Sequence, residues 1–273
     1  MKKERVDVLV VQQGITDSRE KAKRLIMAGE IYDQNQQRLD KPGQKIDSTS
    51  QLHQKGNPLP YVSRGGLKLK KALDTFEIAM AGRNVLDIGS STGGFTDVSL
   101  QEGALHCYAL DVGTNQLVWK LRNDERVTVM EQTNFRYSQP DDFQAGQPDI
   151  AVTDVSFISL RLIFPPLQPI LQPDAPVIAL IKPQFEAGRE LVGKKGIVHD
   201  EQVHRQVIEQ TFQMATALGY DVLGLTFSPI TGGEGNIEFL GYFTNAKRSI
   251  GEISSAIDIR AVVKQAHETF AKQ

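Results

Sequence analysis

The chain has 273 residues, of which 40% are hydrophobic and 23% charged, and its formal net charge is −2. This composition excludes disordered, collagen-like and coiled-coil proteins and leaves one large or two small globular domains. A single cysteine, Cys107, excludes a disulfide framework and a cysteine-rich zinc site. The first apolar run is interrupted by Asp7 and has no cleavage site, and other apolar runs are short, so we expect a cytoplasmic protein that does not bind membranes.

The charge is unevenly distributed along the chain. Residues 1–71 carry 15 Lys and Arg against 8 Asp and Glu, a local net charge of +7, so the remainder carries −9. A basic segment joined to an acidic body is typical of a nucleic-acid-binding module attached to a catalytic domain, because phosphate contacts need local cations. A solvated basic surface without a ligand would give the same counts.

The first 60 residues have the pattern of a small separate domain. A helix is predicted after a cap at Thr16 or Asp17, with apolar residues at i, i+3 and i+4, and Gly29 ends it. Residues 31–46 predict a strand, a turn and a second strand, which completes a helix-plus-hairpin unit. The polar, turn-rich residues 48–60 predict a linker and a domain boundary.

The helix and the turn after it resemble the α-L RNA-binding motif of small-subunit ribosomal protein four. The matching residues are Arg19, Ala22, Leu25, Ile26, Gly29, Lys41, Pro42 and Gly43. Structured RNA is recognised mostly through shape, phosphates and 2′-hydroxyls, for which a few fixed cations suffice. The cations that we expect to contact RNA are Arg5, Arg19, Lys21, Lys23, Arg24, Lys41 and Arg64.

From Ser63 onward, strand patterns alternate with helix patterns, which predicts an α/β fold with a parallel sheet covered by helices on both faces. The last two strands, joined by a turn-rich segment, are expected to form a reversed pair at the sheet edge. The predicted strands are residues 84–88, 106–111, 127–131, 149–155, 177–182, 222–227 and 237–243, and the predicted helices are 63–78, 97–101, 116–122, 200–218 and 255–270.

The strongest chemical signal is the glycine-rich turn in residues 85–95, VLDIGSSTGGF. It connects a strand to a helix, and ligands bind at such carboxyl edges of parallel sheets. Ser91 stands where the dinucleotide fingerprint needs a glycine. Asp87 can accept from a ligand ammonium, and Asp111, which ends the next strand, can accept from two ribose hydroxyls. These residues favour S-adenosylmethionine over NAD as the ligand.

Four further charged residues stand on the preceding helix or in or at the ends of predicted strands: Lys68, Asp154, Lys182 and Glu238. A lysine at the end of a buried strand is unusual, because a desolvated ammonium is costly unless it is paired. Each residue alone could belong to a structural ion pair. Together, beside a predicted cofactor turn, they favour a catalytic group.

With these motifs the chain resembles the TlyA family of ribosomal RNA 2′-O-methyltransferases, often labelled hemolysin A, whose catalytic domain is similar to the FtsJ type. The resemblance covers nearly all 273 residues and is carried by residues 64–68, 87–95, 154–159, 181–186 and 232–238. It implies a small α-L RNA-binding domain with its linker at residues 1–60. It also implies a class I, Rossmann-like methyltransferase sheet at residues 61–273.

The same resemblance implies the site residues and partners. The catalytic set becomes Lys68, Asp154, Lys182 and Glu238, and no metal is expected. S-adenosylmethionine becomes the cofactor, and its pocket is implied to contain Asp87, Gly89, Ser90, Gly93, Gly94, Phe95, Asp111 and Asn134. The partner becomes ribosomal RNA or a ribosomal subunit. Because the chain begins almost directly at the RNA-binding motif, it is similar to the shorter of the family's two forms, and we expect a cytidine of large-subunit rRNA as the target.

A ribose 2′-hydroxyl is a poor nucleophile, so it must be aligned and must lose its proton during the attack. We hypothesise that Lys182 accepts this proton, that Asp154 and Glu238 orient the two lysines, and that Lys68 steadies the target phosphate or hydroxyl.

Three alternatives remain: a membrane-active hemolysin, an RNA-binding factor without methyl transfer, and methylation of a protein or small molecule. The first lacks an export signal and a spanning segment, and the basic first 71 residues argue against the third. His199 and His204 lack a third ligand at metal spacing, so we expect both at the surface.

Overall fold

The computed structural model describes residues 3–35, 37–55, 59–193 and 195–271. The chain divides into two compact units, Met1–Pro60 and Tyr61–Gln273, which we call the amino-terminal and the carboxy-terminal unit. Residues 56–58 of the predicted linker lie outside the described ranges. Within those ranges, no helix combines the length and the apolar character that crossing a bilayer requires.

The amino-terminal unit combines two short helices with two pairs of three-residue strands. Its elements are β1 (Lys3–Arg5), α1 (Val6–Gln12), α2 (Arg19–Met27), β2 (Ile31–Asp33), β3 (Lys45–Asp47) and β4 (Leu52–Gln54). β1 pairs antiparallel with β3, and β2 pairs antiparallel with β4. Strands this short stabilise little by themselves. The unit therefore depends on a core of apolar side chains from both helices and the strands: Val6, Leu9, Val10, Ala22, Ile26, Ile31, Leu39 and Leu52.

The predicted hairpin in residues 31–46 is wrong, because β2 and β3 pair with different strands. Asp33 does close a tight turn by accepting from the amides of Asn35 and Gln37, each at 2.9 Å. The returning chain meets β2 at an isolated bridge between Tyr32 and Arg38. β2 instead takes its partner, β4, from the segment predicted as linker, where Leu52 supplies an apolar side chain to the core.

The predicted cap of α2 is also wrong by one residue. Ser18 is the N-cap, and its side chain accepts from the backbone amide of Lys21 at 3.3 Å. Asp17, one of the two predicted caps, pairs with the ammonium of Lys21 at 2.8 Å instead. Gly29 ends the helix with a φ of +72°, which favours glycine.

The carboxy-terminal unit alternates strands and helices as predicted. Its strands are β5 (Asn84–Ile88), β6 (His106–Leu110), β7 (Val127–Met130), β8 (Ile150–Thr153), β9 (Pro176–Ile181), β10 (Asp221–Phe227) and β11 (Phe239–Thr244). Its helices are α3 (Gly65–Phe76), α4 (Gly94–Gln101), α5 (Trp119–Arg122), α6 (Phe164–Ile170), α7 (Pro183–Glu186), α8 (Glu201–Ala217) and α9 (Ile259–Phe270). The short helix α6 was not predicted, because its sequence FPPLQPI contains three prolines. Prolines in a first helical turn remove only amides that have no partner within the helix.

These strands form one sheet in the order β10–β11–β9–β8–β5–β6–β7. From β7 to β9 the neighbours are parallel, which confirms the predicted α/β fold. β10 and β11 form an antiparallel pair at the edge, as expected, but β11 alone runs against the other strands. From β5 the chain order proceeds outward in both directions, so a crevice is expected at the carboxyl ends of β5 and β8.

Helices cover both faces of this sheet. α3, α4 and α5 contribute Leu69, Val98 and Leu121 to the core on one face. α6, α8 and α9 contribute Phe164, Ile208 and Val263, among others, to the core on the other face. Buried strands between two such layers read as nearly continuous apolar sequence, which is why β8 and β9 were recognisable without a structure.

His204 is buried in α8, so the expectation of a surface position is wrong. Helical spacing places it on the apolar face that also carries Val207 and Ile208. Its Nε2 lies 3.0 Å from the carbonyl oxygen of Val198 and its Nδ1 lies 2.9 Å from Nε2 of His267 on α9. Burial and His267 lower the pKa of His204 to about 4. Among the described residues no group of three potential metal ligands occurs.

Candidate active site

The four residues predicted as catalytic meet at the carboxyl edge of the sheet. Asp154 follows β8, Lys182 follows β9, and Lys68 lies near the start of α3. Glu238 immediately precedes β11 rather than lying inside it. Because β11 runs in the opposite direction to β9, its first residues lie at the edge where β9 ends, and Ile181 pairs with Phe239. The reversed direction of β11 therefore brings the carboxylate of Glu238 to the same edge as Lys182.

These four side chains form a continuous series of ion pairs. Lys68 Nζ lies 2.7 Å from Oε2 of Glu238 and 3.4 Å from Oδ2 of Asp154. Lys182 Nζ lies 2.6 Å from Oδ1 of Asp154 and donates to the hydroxyl of Ser156 at 2.9 Å. Two anions and two cations therefore alternate in the order Glu238, Lys68, Asp154, Lys182.

Burial makes this pairing obligatory. Lys68, Lys182 and Glu238 are 8%, 6% and 2% exposed, and an unpaired charge at such depth would be costly. Burial acts to lower the pKa of Lys68, but the charges of Asp154 and Glu238 outweigh it and the pKa is raised above its ordinary value. Burial acts to raise the pKa of Asp154, but Lys182 and Lys68 outweigh it and hold that pKa below its ordinary value. Lys68 is therefore a cation and Asp154 an anion at neutral pH.

Two neighbours fix the carboxylate of Glu238. Gln184 in α7 donates to its Oε1 at 3.2 Å. A side chain at Gly232 would collide with the carboxylate of Glu238, so a glycine is needed there. The turn that contains Gly232 therefore packs directly against the carboxylate of Glu238.

The glycine-rich turn follows β5, next to this series of ion pairs. Asp87 is fully buried, and its Oδ2 accepts from the hydroxyl of Thr96 at 2.7 Å. Its other oxygen, Oδ1, is buried and has no hydrogen-bond partner among the described residues. Burial raises the pKa of Asp87 to about 7, and the charges of Asp154 and Asp111 act in the same direction. A buried acceptor without a partner is a place where a ligand's donor would be stabilised.

The glycines of the turn keep the backbone close to its surroundings. Gly89 has a φ of +84°, and a Cβ there would approach the carbonyl oxygen of Asp154 to 3.1 Å. Gly93 has a φ of +97° and would press a Cβ against Leu117 and Leu121. The remaining predicted members of the turn are buried: Ser90, Gly94 and Phe95.

Asp111 borders the same turn by its hydrogen bonds, whereas the side chain of Asn134 has no hydrogen bond to the turn among the described residues. The Asp111 carboxylate accepts from the amide of Ser91 at 2.8 Å and from that of Gly113 at 2.7 Å. Each oxygen keeps a further lone pair, so the carboxylate is oriented and still able to accept from a hydroxyl. Asn134 caps a single 3₁₀ turn, and its Oδ1 accepts from Nε of Arg136 at 3.1 Å.

This donor and acceptor set fits S-adenosylmethionine. The orphaned oxygen of Asp87 can accept from an ammonium, and the oriented carboxylate of Asp111 can accept from ribose hydroxyls. Glycines at 89 and 93 have positive φ and lie against Asp154, Leu117 and Leu121, so they keep the turn close to its neighbours.

The cations predicted to contact RNA divide into paired and unpaired ones. Arg5 and Arg19 both hold the buried carboxylate of Asp7, at 2.9 and 2.8 Å. Lys21 pairs with Asp17, and Lys23 with Glu20. Among the ion pairs of the described residues, none involves the remaining three: Arg24, Lys41 and Arg64. Arg64 belongs to the carboxy-terminal unit, where it is the N-cap residue of α3.

Sequence reasoning missed four residues on the loops that carry Asp154 and Lys182. Ser156 accepts from Lys182, and Phe157 is 90% exposed with a φ of +62°. The ring of Phe157 lies 4.9 Å from that of Phe185, centroid to centroid. Glu186 accepts from Ser159 and from the amide of Leu160. They lie in the stretches 154–159 and 181–186 that carry the family resemblance, but no role was predicted for them.

Comparison with known proteins gives the same picture as this geometry. A family model described as FtsJ-like methyltransferase matches residues 61–244. YqxC of Bacillus subtilis is 57% identical over 273 residues, which cover all of this chain and 97% of that protein. TlyA of Mycobacterium tuberculosis, named a 16S/23S rRNA (cytidine-2′-O)-methyltransferase, is 42% identical over 253 residues, which cover 90% of this chain and 92% of that protein.

A solved structure from Streptococcus thermophilus, which carries a hemolysin name, is similar over the whole chain. It matches with a TM-score of 0.80 and 54% identity, and the match covers 100% of this chain and 98% of that one. The family model, these relatives and the seven-stranded sheet agree, and the chain therefore belongs to the TlyA (hemolysin A) group of the FtsJ-like methyltransferases.

Proposed function

We propose that this protein transfers a methyl group from S-adenosylmethionine to the 2′-hydroxyl of a ribose in ribosomal RNA. The observation that carries this proposal is the buried series Glu238, Lys68, Asp154, Lys182 beside the glycine-rich turn. Such a series supplies both a fixed cation and a lysine that can exchange a proton, next to a place for the cofactor. Action on ribosomes agrees with a cytoplasmic location.

The chain's own residues divide the work between holding ligands and moving a proton. Asp87 and Asp111 would hold the ammonium and the ribose hydroxyls of the cofactor. When bound, S-adenosylmethionine supplies an electrophilic methyl group. The protein must then align the ribose hydroxyl and remove its proton as the oxygen attacks.

Lys182 is the residue that we assign to proton removal. It has one carboxylate partner, Asp154, and donates to the hydroxyl of Ser156, whereas Lys68 is held between two carboxylates. Lys182 would act after releasing its own proton to water, and the hydroxyl proton would then pass to its Nζ. Asp154 orients Lys182 and stabilises the ammonium that forms. Lys68 stays charged and steadies the oxygen or phosphate of the RNA.

Two features support RNA as the substrate. Phe157 exposes its ring beside the loop of Lys182 and lies against Phe185, which suits stacking with an unpaired base. The amino-terminal unit presents Arg24 and Lys41, which have no ion pair among the described residues, for phosphate contacts. The target that we favour is a cytidine of large-subunit rRNA.

Labelled S-adenosylmethionine tests the function directly. Naked rRNA, each ribosomal subunit, a protein extract and lipid vesicles would be offered separately, and the modified ribose would be mapped. We expect label at one ribose of the large subunit or its RNA. Binding of RNA without label transfer, or label only in protein, would contradict the proposal, and so would vesicle leakage as the sole activity.

The role of Lys182 is tested by Lys182→Ala, with Lys264→Ala on the exposed face of α9 as its control. We expect a loss of methyl transfer of about 100-fold or more for Lys182→Ala, with RNA binding retained, because general base catalysis contributes roughly 10²–10⁴-fold. The control should match the wild type, since Lys264 is 73% exposed and lies on α9. Undiminished transfer by Lys182→Ala would disprove the assignment.

A further inference from the structure

Asp154 and Lys182 stand on two loops that the sheet itself does not hold together. β8 and β9 pair from Ala151 with Val177 to Thr153 with Ala179, and the ladder ends there. Asp154 lies beyond the last residue of β8, and Lys182 lies beyond the last residue of β9. The amide of Asp154 donates to the carbonyl oxygen of Ile88 in β5 at 3.2 Å, and the 2.6 Å ion pair of its side chain with Lys182 depends in addition on contacts between the two segments.

Four contacts join the segment that follows β8 to the segment that follows β9. After the ion pair of Asp154 with Lys182 come the hydrogen bond of Ser156 with Lys182 and the ring contact of Phe157 with Phe185. The last contact joins residues 159 and 160 to the side chain of Glu186. The first two contacts share Lys182, and the next two advance along both segments to Phe185 and then to Glu186.

Glu186 closes the far end of this series with both of its oxygens. Oε2 accepts from the hydroxyl of Ser159 at 2.6 Å, and Oε1 accepts from the amide of Leu160 at 2.8 Å. Ser159 and Leu160 begin a 3₁₀ turn, so the carboxylate satisfies an amide that has no partner within the turn. Glu186 takes part in none of the ion pairs of the described residues. Burial raises its pKa above the ordinary value.

The loop that Glu186 holds is strained. Phe157 has a φ of +62°, a left-handed conformation that is unfavourable for a residue with a Cβ. Such a conformation persists only where the surroundings enforce it. Asp154 and Ser156 lie on one side of the strained residue, and the contact with Glu186 lies on the other.

We propose that Glu186 is a positioning residue, which holds the 154–159 loop in its strained form so that Asp154 and Ser156 meet Lys182. This proposal rests on the proposed role of Lys182 in methyl transfer. Without the two hydrogen bonds, Phe157 would relax to negative φ, and Asp154 would move away from the lysine. A misplacement of about 1 Å at a reacting group costs roughly 100-fold in rate.

The kinetic test compares Glu186→Ala, Glu186→Gln and Glu209→Ala. The alanine variant loses both acceptors, and we expect kcat for RNA methylation to fall about 10- to 100-fold while KM for S-adenosylmethionine stays within about twofold. The glutamine variant keeps an acceptor for Leu160 and an amide that can donate to Ser159, so it should retain most of the activity. Glu209 is exposed on α8, and its variant should match the wild type.

Three results would overturn the proposal: full activity of Glu186→Ala, an equal fall for alanine and glutamine, or a fall that appears only in KM. A crystal structure of Glu186→Ala gives a readout independent of any substrate. If Lys182 and Asp154 remain paired with Phe157 still at positive φ, Glu186 does not position the loop, whatever the protein methylates. If the wild type transfers no methyl group to RNA, the proposed function fails, and if Lys182→Ala transfers as well as the wild type, the role of Lys182 fails; in both cases the crystal structure still decides the role of Glu186.

Discussion

Asp87 combines a buried position, an oxygen without a partner and a pKa raised to about 7 by burial. A raised carboxyl pKa means that the charged form is disfavoured in the folded protein, so this residue lowers stability as pH rises through 7. A cationic ligand group favours the charged carboxylate and therefore lowers the pKa of Asp87 again. In the free protein, Oδ1 of Asp87 has no hydrogen-bond partner among the described residues, and a bound ammonium would supply one.

This predicts that S-adenosylmethionine binds more tightly as pH rises toward the pKa of about 7 of Asp87, and that binding below this pH releases a proton. Calorimetry in buffers of different ionisation enthalpy measures both effects. Asp87→Asn keeps the hydrogen bond with Thr96 and removes the charge, so it should weaken binding about tenfold or more and abolish the pH dependence. A wild-type dissociation constant that does not change with pH below about 7 would contradict the prediction.

At the scale of elements, the amino-terminal helices are joined by one buried carboxylate. Asp7 on α1 receives Arg5 from β1 and Arg19 from α2, so it joins three elements. The hydrogen bond from Arg5 outweighs burial and, together with Arg19, lowers the pKa of Asp7 below its ordinary value. Its stabilising effect is present above the ordinary carboxyl pKa and is lost as pH falls through the lowered one.

We expect Asp7→Asn to speed amide hydrogen exchange in α1 and α2 about tenfold in the intact protein, because the three charge-assisted hydrogen bonds from Arg5 and Arg19 are weakened. Asp17→Asn is the matched control. Asp17 is 72% exposed in its pair with Lys21, and exposed pairs stabilise little. Equal protection in the two variants would show that Asp7 does not join the helices.

At the scale of the whole molecule, the basic charge of residues 1–71 is divided between the two units. The amino-terminal unit holds 11 Lys and Arg against 8 Asp and Glu, a net charge of +3. The rest of the +7 in residues 1–71 comes from four cations of the carboxy-terminal unit: Arg64, Lys68, Lys70 and Lys71. Several cations of the first unit are also paired internally, so few are available for RNA.

We therefore expect the double variant Arg24→Ala, Lys41→Ala to weaken RNA binding and to reduce the salt dependence of the affinity by about two charges. Binding of S-adenosylmethionine should be unchanged. Filter binding of rRNA at several salt concentrations measures the slope, with Lys264→Ala as the control. An unchanged slope would show that these two cations do not contact phosphate.

The sequence predicted the sheet well because strands buried on both faces are apolar throughout and are bounded by turns. It predicted the amino-terminal strands poorly, since β2, β3 and β4 have three residues each and no periodicity to recognise. The candidate catalytic residues could be named because charged groups at the ends of apolar strands stand out. No role could be predicted for Glu186, because the sequence does not show that its carboxylate meets Ser159 and Leu160.

The sequence by itself determined the order of the elements, the position of the glycine-rich turn and the chemical identity of the groups at the strand ends, because these follow from local pattern. Only the tertiary structure decided which charges meet. Lys68 and Glu238 are 170 residues apart in the chain, and they come together because β11 runs in reverse. It also decided that Asp7 holds Arg5 and Arg19. An ion pair forms only between groups that are close in space, and residues far apart in the sequence come close only when the chain folds.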